Sequence, residues 1–225
     1  MKTLDRRTFV LVTGSALLLP PLAHGYVLPS HYVLKKAQKA LDERRDLQVA
    51  LLGRAWTGPH APPLEIGERW LFGPVSQVDV SDAQGQRAQW RSNEQTTGHT
   101  PLLPPRALRF VLSRLFGGGD LRQLMGGLGI LPEPRSLRRT DGRIAIAIGA
   151  AHDQLRSPQV WFDQDTFLPI KMIFRSDRFT YDVQLSQWDV PTTGSAFPGQ
   201  IRIRKDGRPL RELSVKTVVN PRARP

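Results

Sequence analysis

The groups able to do chemistry are few and scattered along this chain. Beyond His24 in the opening stretch, the histidines are His31, His60, His99 and His152, and there is no cysteine at all. A chain without thiols has no cysteine nucleophile, no zinc–thiolate site and no iron–sulfur cluster. Helix-borne zinc hydrolysis calls for His-Glu-x-x-His, and a serine nucleophile elbow for Gly-x-Ser-x-Gly; neither string occurs. His152-Asp153 is an acid–base pair on paper, but adjacent residues on a strand or loop point apart, so a surface turn is the expected role. Asp163 and Asp165 offer paired carboxylates. They also flank "DQDT", where Asp sits for backbone reasons. The sequence therefore predicts no catalytic residue, no metal and no cofactor.

"GGGDLRQLMGGLG" (117–129) raises the last chemical possibility, a loop cradling a phosphate. Such a loop needs a strand leading in, a helix leading out and usually a Lys after the glycines. Here the lead-in "PPRALRFVLSRLF" is helical, with Leu108, Val111, Leu112 and Leu115 at i, i+3, i+4 and i+7. Pro105 suits its first turn. Asp120 then caps a second segment carrying Leu121, Leu124, Met125 and Leu128 at the same spacing. No Lys follows, so the glycines punctuate two short amphipathic helices.

Those helices need a surface to lie on. The chain supplies one in runs that alternate apolar and polar residues. Leu47, Val49 and Leu51 alternate in "LQVALLGRA", and Leu64, Ile66, Trp70 and Phe72 follow in "APPLEIGERWLF". "VSQVDV" and "RAQWRS" continue as short strands. "RIAIAIGA" sets Ile144, Ile146 and Ile148 in step. "VWFDQDTFLPIKMIFR" returns through a turn with Ile170, Met172 and Phe174 aligned, and "RFTYDVQLSQ" aligns Phe179, Tyr181, Val183 and Leu185. Ile201 and Ile203, an Asp206-Gly207 turn, then Leu213, Val215 and Val219 close the series. One earlier helix is expected at 30–46, with Val33, Leu34, Ala37 and Leu41 on one face and Ser30 able to cap it.

The fold class is thus mainly β with α insertions. It is a single antiparallel sheet of eight to ten strands, strongly twisted and curling toward a barrel, in one domain. The paired helices at about 104–129 lie on its concave face. They are either a permanent plug or a lid that lifts from a greasy cavity; glycine flanks and the adaptable Met125 suit the lid.

The opening "MKTLDRRTFVLVTGSALLLPPLAHG" has a basic start, an apolar run too short to span a bilayer and small residues before Tyr26. Residues 1–25 read as a cleaved export signal, and 26–225 as the working domain. Arg6-Arg7 with Phe9 also resembles the twin-arginine motif, though Asp5 stands where that motif prefers Ser or Thr. The absence of cysteine excludes a lipidated N-terminal Cys, so an exported, unanchored, periplasmic protein is expected. Of the 32 basic residues 25 are Arg, and the net charge is +12. The arginines are dispersed and not clustered with aromatics, so nucleic acid is not the expected partner. For an exported chain, anionic lipid headgroups and acidic glycans are the counter-charges at hand, and a generic solvated face is the default reading of the charge.

Taken together, the early helix running into "LQVALLGRA", the helical insertion, "VWFDQDTFLPIKMIFR" with its polar turn and Leu-Pro, and the closing "FPGQIRIRKDGRPLRELSVKTVVNP" resemble the LolA-like family. These are periplasmic lipoprotein carriers and outer-membrane lipoprotein-sorting proteins. The resemblance implies an incomplete barrel with a helical lid over a hydrophobic cavity. It also implies a non-catalytic, monomeric carrier of a lipid or acylated lipoprotein, served by an inner-membrane exporter and an outer-membrane acceptor. Sheltering an acyl chain gains ~0.8 kcal/mol per buried CH₂. On this reading the lid contributes Leu108, Leu112, Leu121, Leu124 and Met125. The sheet contributes Leu51, Ile144, Ile146, Met172, Phe174, Tyr181 and Val183. Family carriers also bond the closed lid with an Arg on an early strand; Arg54 and Arg69 stand nearest, although "RAW" and "ERW" differ from the family's local sequence. Relatives include sensors and regulators, so a periplasmic regulatory or assembly protein that binds a protein partner is the alternative. An exported hydrolase is the weakest reading.

Overall fold

The computed structural model describes residues 27–44, 46–58, 60–93, 96–98, 100–140, 142–188, 190 and 197–219. The expected signal at 1–25 and the Asn-Pro after Val219 lie outside them. Helix α1 (Ser30–Asp42) leads into β1 (Gln48–Ala55), β2 (Leu64–Leu71), β3 (Gln77–Asp82), β4 (Arg87–Arg91) and the two-residue β5 (Thr97–Gly98). A 3₁₀ turn (Thr100–Leu102), α2 (Arg106–Phe116) and α3 (Leu121–Gly127) follow. The chain then runs through β6 (Arg135–Thr140), β7 (Arg143–Ile148), β8 (Gln159–Asp163), β9 (Pro169–Ser176), β10 (Phe179–Ser186), β11 (Gln200–Lys205) and β12 (Arg208–Val219).

All described pairings are antiparallel and join into one twelve-stranded sheet. Its order is β5-β4-β3-β2-β1-β12-β11-β10-β9-β8-β7-β6, an open sheet with β5 and β6 at its edges. The last strand thus lies at the centre, between β1 and β11. Period-two alternation explains the layering. Val49, Leu51, Ile66, Trp70, Val78 and Val80 turn to the inner face and are buried, as are Met172, Phe174, Tyr181, Val183 and Ile203. The three helices cover that face, and their apolar stripes join the sheet's inner residues in one continuous core.

Several local expectations meet a different outcome. Ser30 does not cap α1; its hydroxyl bonds the Pro132 carbonyl at 2.6 Å and Glu133 at 2.9 Å, tying α1 to the loop before β6. Strand β6, "RSLRRT", shows only Leu137 as an apolar residue and was not legible as a strand. On β7 the intervening alanines are buried too, because the chain after Ile148 folds over the outer face. Ala145, Ala147 and Trp161 pack there, and Arg138 reaches across to the Ala151 carbonyl (2.6 Å) and to that of His152. Burial pushes the Arg138 pKa down, opposed by Asp153.

Candidate functional site

The helices meet the inner face of the sheet, and this junction is the candidate site. From α2, Leu108, Val111, Leu112, Leu115 and Phe116 point into it; from α3, Leu121, Leu124 and Met125 do. Each is at least 96% buried: Leu124, the most exposed, keeps 4% of its surface. Leu51, Ile146, Met172, Phe174, Tyr181 and Val183 belong to the same core from the sheet side. Phe174 and Tyr181 stack at 5.3 Å, and burial, aided by Asp177 and Asp206, pushes the Tyr181 phenol up. The protein's own side chains fill this junction, where a greasy cavity was the expectation.

Ile144 departs from the predicted lining. It has the right parity, but it lies at the outer end of β7, is 42% exposed and stands outside the core. Arg54 and Arg69 depart further. Both fall on the odd step of their strands and face outward. Arg54 pairs with Glu212 at 2.8 Å, and Arg69 lines an outer groove with Leu52, Gly67, Asp79 and Gln89. Neither reaches the helices.

The residue that reaches the root of the helical insertion is Arg211 on β12. Its Nη1 pairs with Glu68 on β2, and its Nη2 donates to the carbonyl of Leu102, at the root of the helical insertion. Trp70 Nε1 holds the other Glu68 oxygen at 2.7 Å. Arg211 and Glu68 are 3% and 2% exposed, so this pair sits in the apolar interior. Burial lowers the Arg211 pKa, while the charge and hydrogen bond of Glu68 oppose that shift. The sequence signal was parity: Glu68 is in step with Ile66 and Trp70, and Arg211 with Leu213. Along the register the two lie diagonally across β1, with Leu51 opposite Glu68 and Ala55 opposite Arg211. The inward position of β1 between them is Gly53, which brings no side chain.

Helices α2 and α3 are held differently. Phe116, at the end of α2, sits 4.5 Å from Phe197 and 5.3 Å from Phe72, in an aromatic cluster with Trp70 and Trp188. Helix α3 is tied to α1 through Gln38, whose Oε1 accepts from the Leu121 N–H at 2.7 Å and whose Nε2 bonds the Gly119 carbonyl at 3.3 Å. Asp120 caps it as expected, accepting from the Gln123 N–H at 2.9 Å. Gly118 (φ +88°) and Gly129 (φ +70°) flank it in the left-handed region that glycine enters without strain.

The chemical pairs take structural places. Asp163 is buried and accepts from the Asp165 and Thr166 N–H groups, shaping the β8–β9 turn, while Asp165 is exposed. His152 lies in the turn held by Arg138. Among the described residues no three His, Asp or Glu side chains gather where they would hold a metal ion. No helix among them is long and apolar enough to cross a membrane.

No protein-family model matches the chain, and no curated protein matches it in sequence. Solved structures do. A LolA superfamily protein from Nitrosomonas europaea superposes with a TM-score of 0.53, at 16% identity, over 85% of this chain and 93% of that one. A DUF1329 family protein from Desulfovibrio piger covers 88% of this chain and 95% of its own at 10% identity, with a TM-score of 0.46. A lipoprotein-sorting protein domain from Vibrio parahaemolyticus covers 87% and 95% at 9% identity, also at 0.46. The first likeness establishes the fold: the chain is an open, curved antiparallel sheet of the LolA-like kind with helices over its inner face.

Proposed function

We propose, taking the LolA-like fold as premise, that this protein is an exported, periplasmic, non-catalytic carrier. It shelters an acyl chain, of a free lipid or a lipoprotein, between the inner face of the sheet and the lid helices. The observation that carries this reading is the junction itself: an apolar contact between sheet and helices, crossed by the buried pair Arg211–Glu68, whose smaller helix hangs between two left-handed glycines.

Magnitudes decide how such a carrier would load. Fully burying a large apolar side chain is worth about 1.5–3 kcal/mol, so the five from α2 amount to about 8–15 kcal/mol and the three from α3 to about 5–9, as upper estimates. Domains of this kind are stable by about 5–15 kcal/mol in total. Lifting both helices into water would therefore cost as much as unfolding. Displacing α3 alone is affordable when a guest fills its place, because about ten buried methylenes return about 8 kcal/mol. Loading is then an exchange of apolar partners, with α3 yielding and α2 staying put.

The deciding measurement is to extract the purified protein with organic solvent, identify co-purifying lipid by mass spectrometry, and titrate delipidated protein with a fluorescent fatty acid. Bound lipid and saturable, near-stoichiometric uptake are expected. A dry extract with no uptake would sink the carrier. The filled junction would then be permanent core, and the second reading, a regulator that binds a protein partner, would take over. What favours that alternative is the outer groove on β1–β4, where Leu52 is half exposed beside Arg69, Asp79 and Gln89.

A further inference from the structure

Helix α2 has a second face. Arg106, Arg109, Phe110, Ser113 and Arg114 fall at helical spacing on the side away from the sheet, opposite Leu108, Leu112 and Leu115. With Trp90 of β4 and Thr96 they wall a groove of about 630 Å³. Arg109 lies at its floor, its guanidinium 5.1 Å from the centre of the Trp90 ring. One Nη of Arg109 donates to the Thr96 hydroxyl at 3.3 Å, while its Nε is buried with no acceptor. Arg114 stands over the Phe110 ring at 5.7 Å, and Phe110 itself is 44% exposed at the rim.

Among the described residues no carboxylate lines this groove, and none pairs with the three guanidinium groups. Burial and the like charge of Arg106 both push the Arg109 pKa down. Gathering three guanidinium groups with no carboxylate among them is costly unless an anion completes the set. A phosphodiester oxygen fits the guanidinium fork. The aromatic pair at its side suits the headgroup level of a membrane, where rings and arginines sit together. The apolar stripe of α2 is already committed to the sheet, so the helix would adsorb through its outer face without inserting.

We propose that this groove is a docking site for the phosphate headgroups of an anionic lipid bilayer, through which the lid side of the molecule meets the membrane. The inference goes beyond the carrier reading, and cargo uptake in detergent-free buffer would not depend on it.

The test is flotation of the protein, purified from a secreting host, with vesicles of phosphatidylcholine alone or phosphatidylcholine mixed with phosphatidylglycerol. A basic residue near such a surface contributes about 1 kcal/mol, about fivefold in binding. Arg106→Gln/Arg109→Gln/Arg114→Gln should lose about 100-fold in partitioning to the anionic vesicles. The exposed pair Arg106→Gln/Arg114→Gln should lose about 30-fold, which keeps the test sharp should Arg109 be needed for packing. A control triple on the strands, Arg175→Gln/Arg202→Gln/Arg204→Gln, removes the same charge and should lose far less. Equal losses in the two triples would overturn the proposal in favour of diffuse charge. Inorganic phosphate that saturates the groove, while anionic vesicles leave the protein unbound, would overturn it in favour of a free anion.

Discussion

Helices α2 and α3 were read from one stretch of sequence and by one rule, yet the structure gives them different jobs. Helix α2 buries five apolar side chains, ends on Phe116 inside an aromatic cluster and is preceded by Leu102, which Arg211 grips. Helix α3 buries three, is capped by its own Asp120 and is tied to α1 through one glutamine. The same i, i+3, i+4 pattern thus serves one helix held at many points and one held at few, which the proposed carrier would use as anchor and flap. What separates them is the number of buried contacts and the polar ties at the ends, not amphipathicity.

Breaking the anchor should show the largest effect. Phe116→Ala removes the ring at the centre of that cluster and is expected to cost about 3–5 kcal/mol, read as a lower denaturant midpoint. A loss under about 1 kcal/mol would mean α2 is as loosely held as α3. Arg211→Leu should cost a similar or slightly smaller amount, about 3–5 kcal/mol, because Glu68 is left as an uncompensated buried charge. The double variant Glu68→Leu/Arg211→Leu is expected to recover a good part of that in chemical denaturation. If it recovers none, the bond to the Leu102 carbonyl outweighs the pairing itself.

The flap should behave otherwise. Leu121→Asp/Leu124→Asp is expected to leave the sheet folded, with an unchanged far-ultraviolet β signal, and to weaken fatty-acid uptake at least tenfold. Should the whole domain unfold instead, α3 is core like α2 and the contrast is gone. The smallest effect belongs to the glycines at the end of α3. Gly126 and Gly127 are helical and exposed, and a Cβ at either meets nothing within 4 Å. Gly126→Ala/Gly127→Ala should therefore stabilise α3 by about 0.5–1 kcal/mol per site and slow uptake in stopped flow. Faster uptake would argue that the flap moves as a rigid piece.

Much of this was legible in the sequence because burial imposes periodicity. Leu108, Leu112, Leu121 and Leu124 followed from period 3.6. Met172, Phe174, Tyr181 and Val183 followed from period two, and all meet in one core. Parity alone could not find the grip on Leu102. Glu68 and Arg211 sit 143 positions apart and meet only because β12 pairs beside β1, a long-range register that no local pattern encodes. The family resemblance pointed to an Arg on an early strand, hence to Arg54 and Arg69, and a one-residue step puts both outside. Ile144 departed for a different reason: its parity was right, but it stands at the start of β7, exposed and outside the core. The plug-or-flap question stayed open because a stripe of leucines looks the same whether it packs once or repeatedly.

The central place of β12 has a consequence for how the molecule is made. Eleven strands can pair into two half-sheets, β5 to β1 and β11 to β6, yet the seam between β1 and β11 closes only when β12 enters it. Until then two bare strand edges face one another, each able to recruit a strand from a neighbouring molecule. Closure thus depends on a pairing between distant parts of the described chain, the non-local kind that forms slowly.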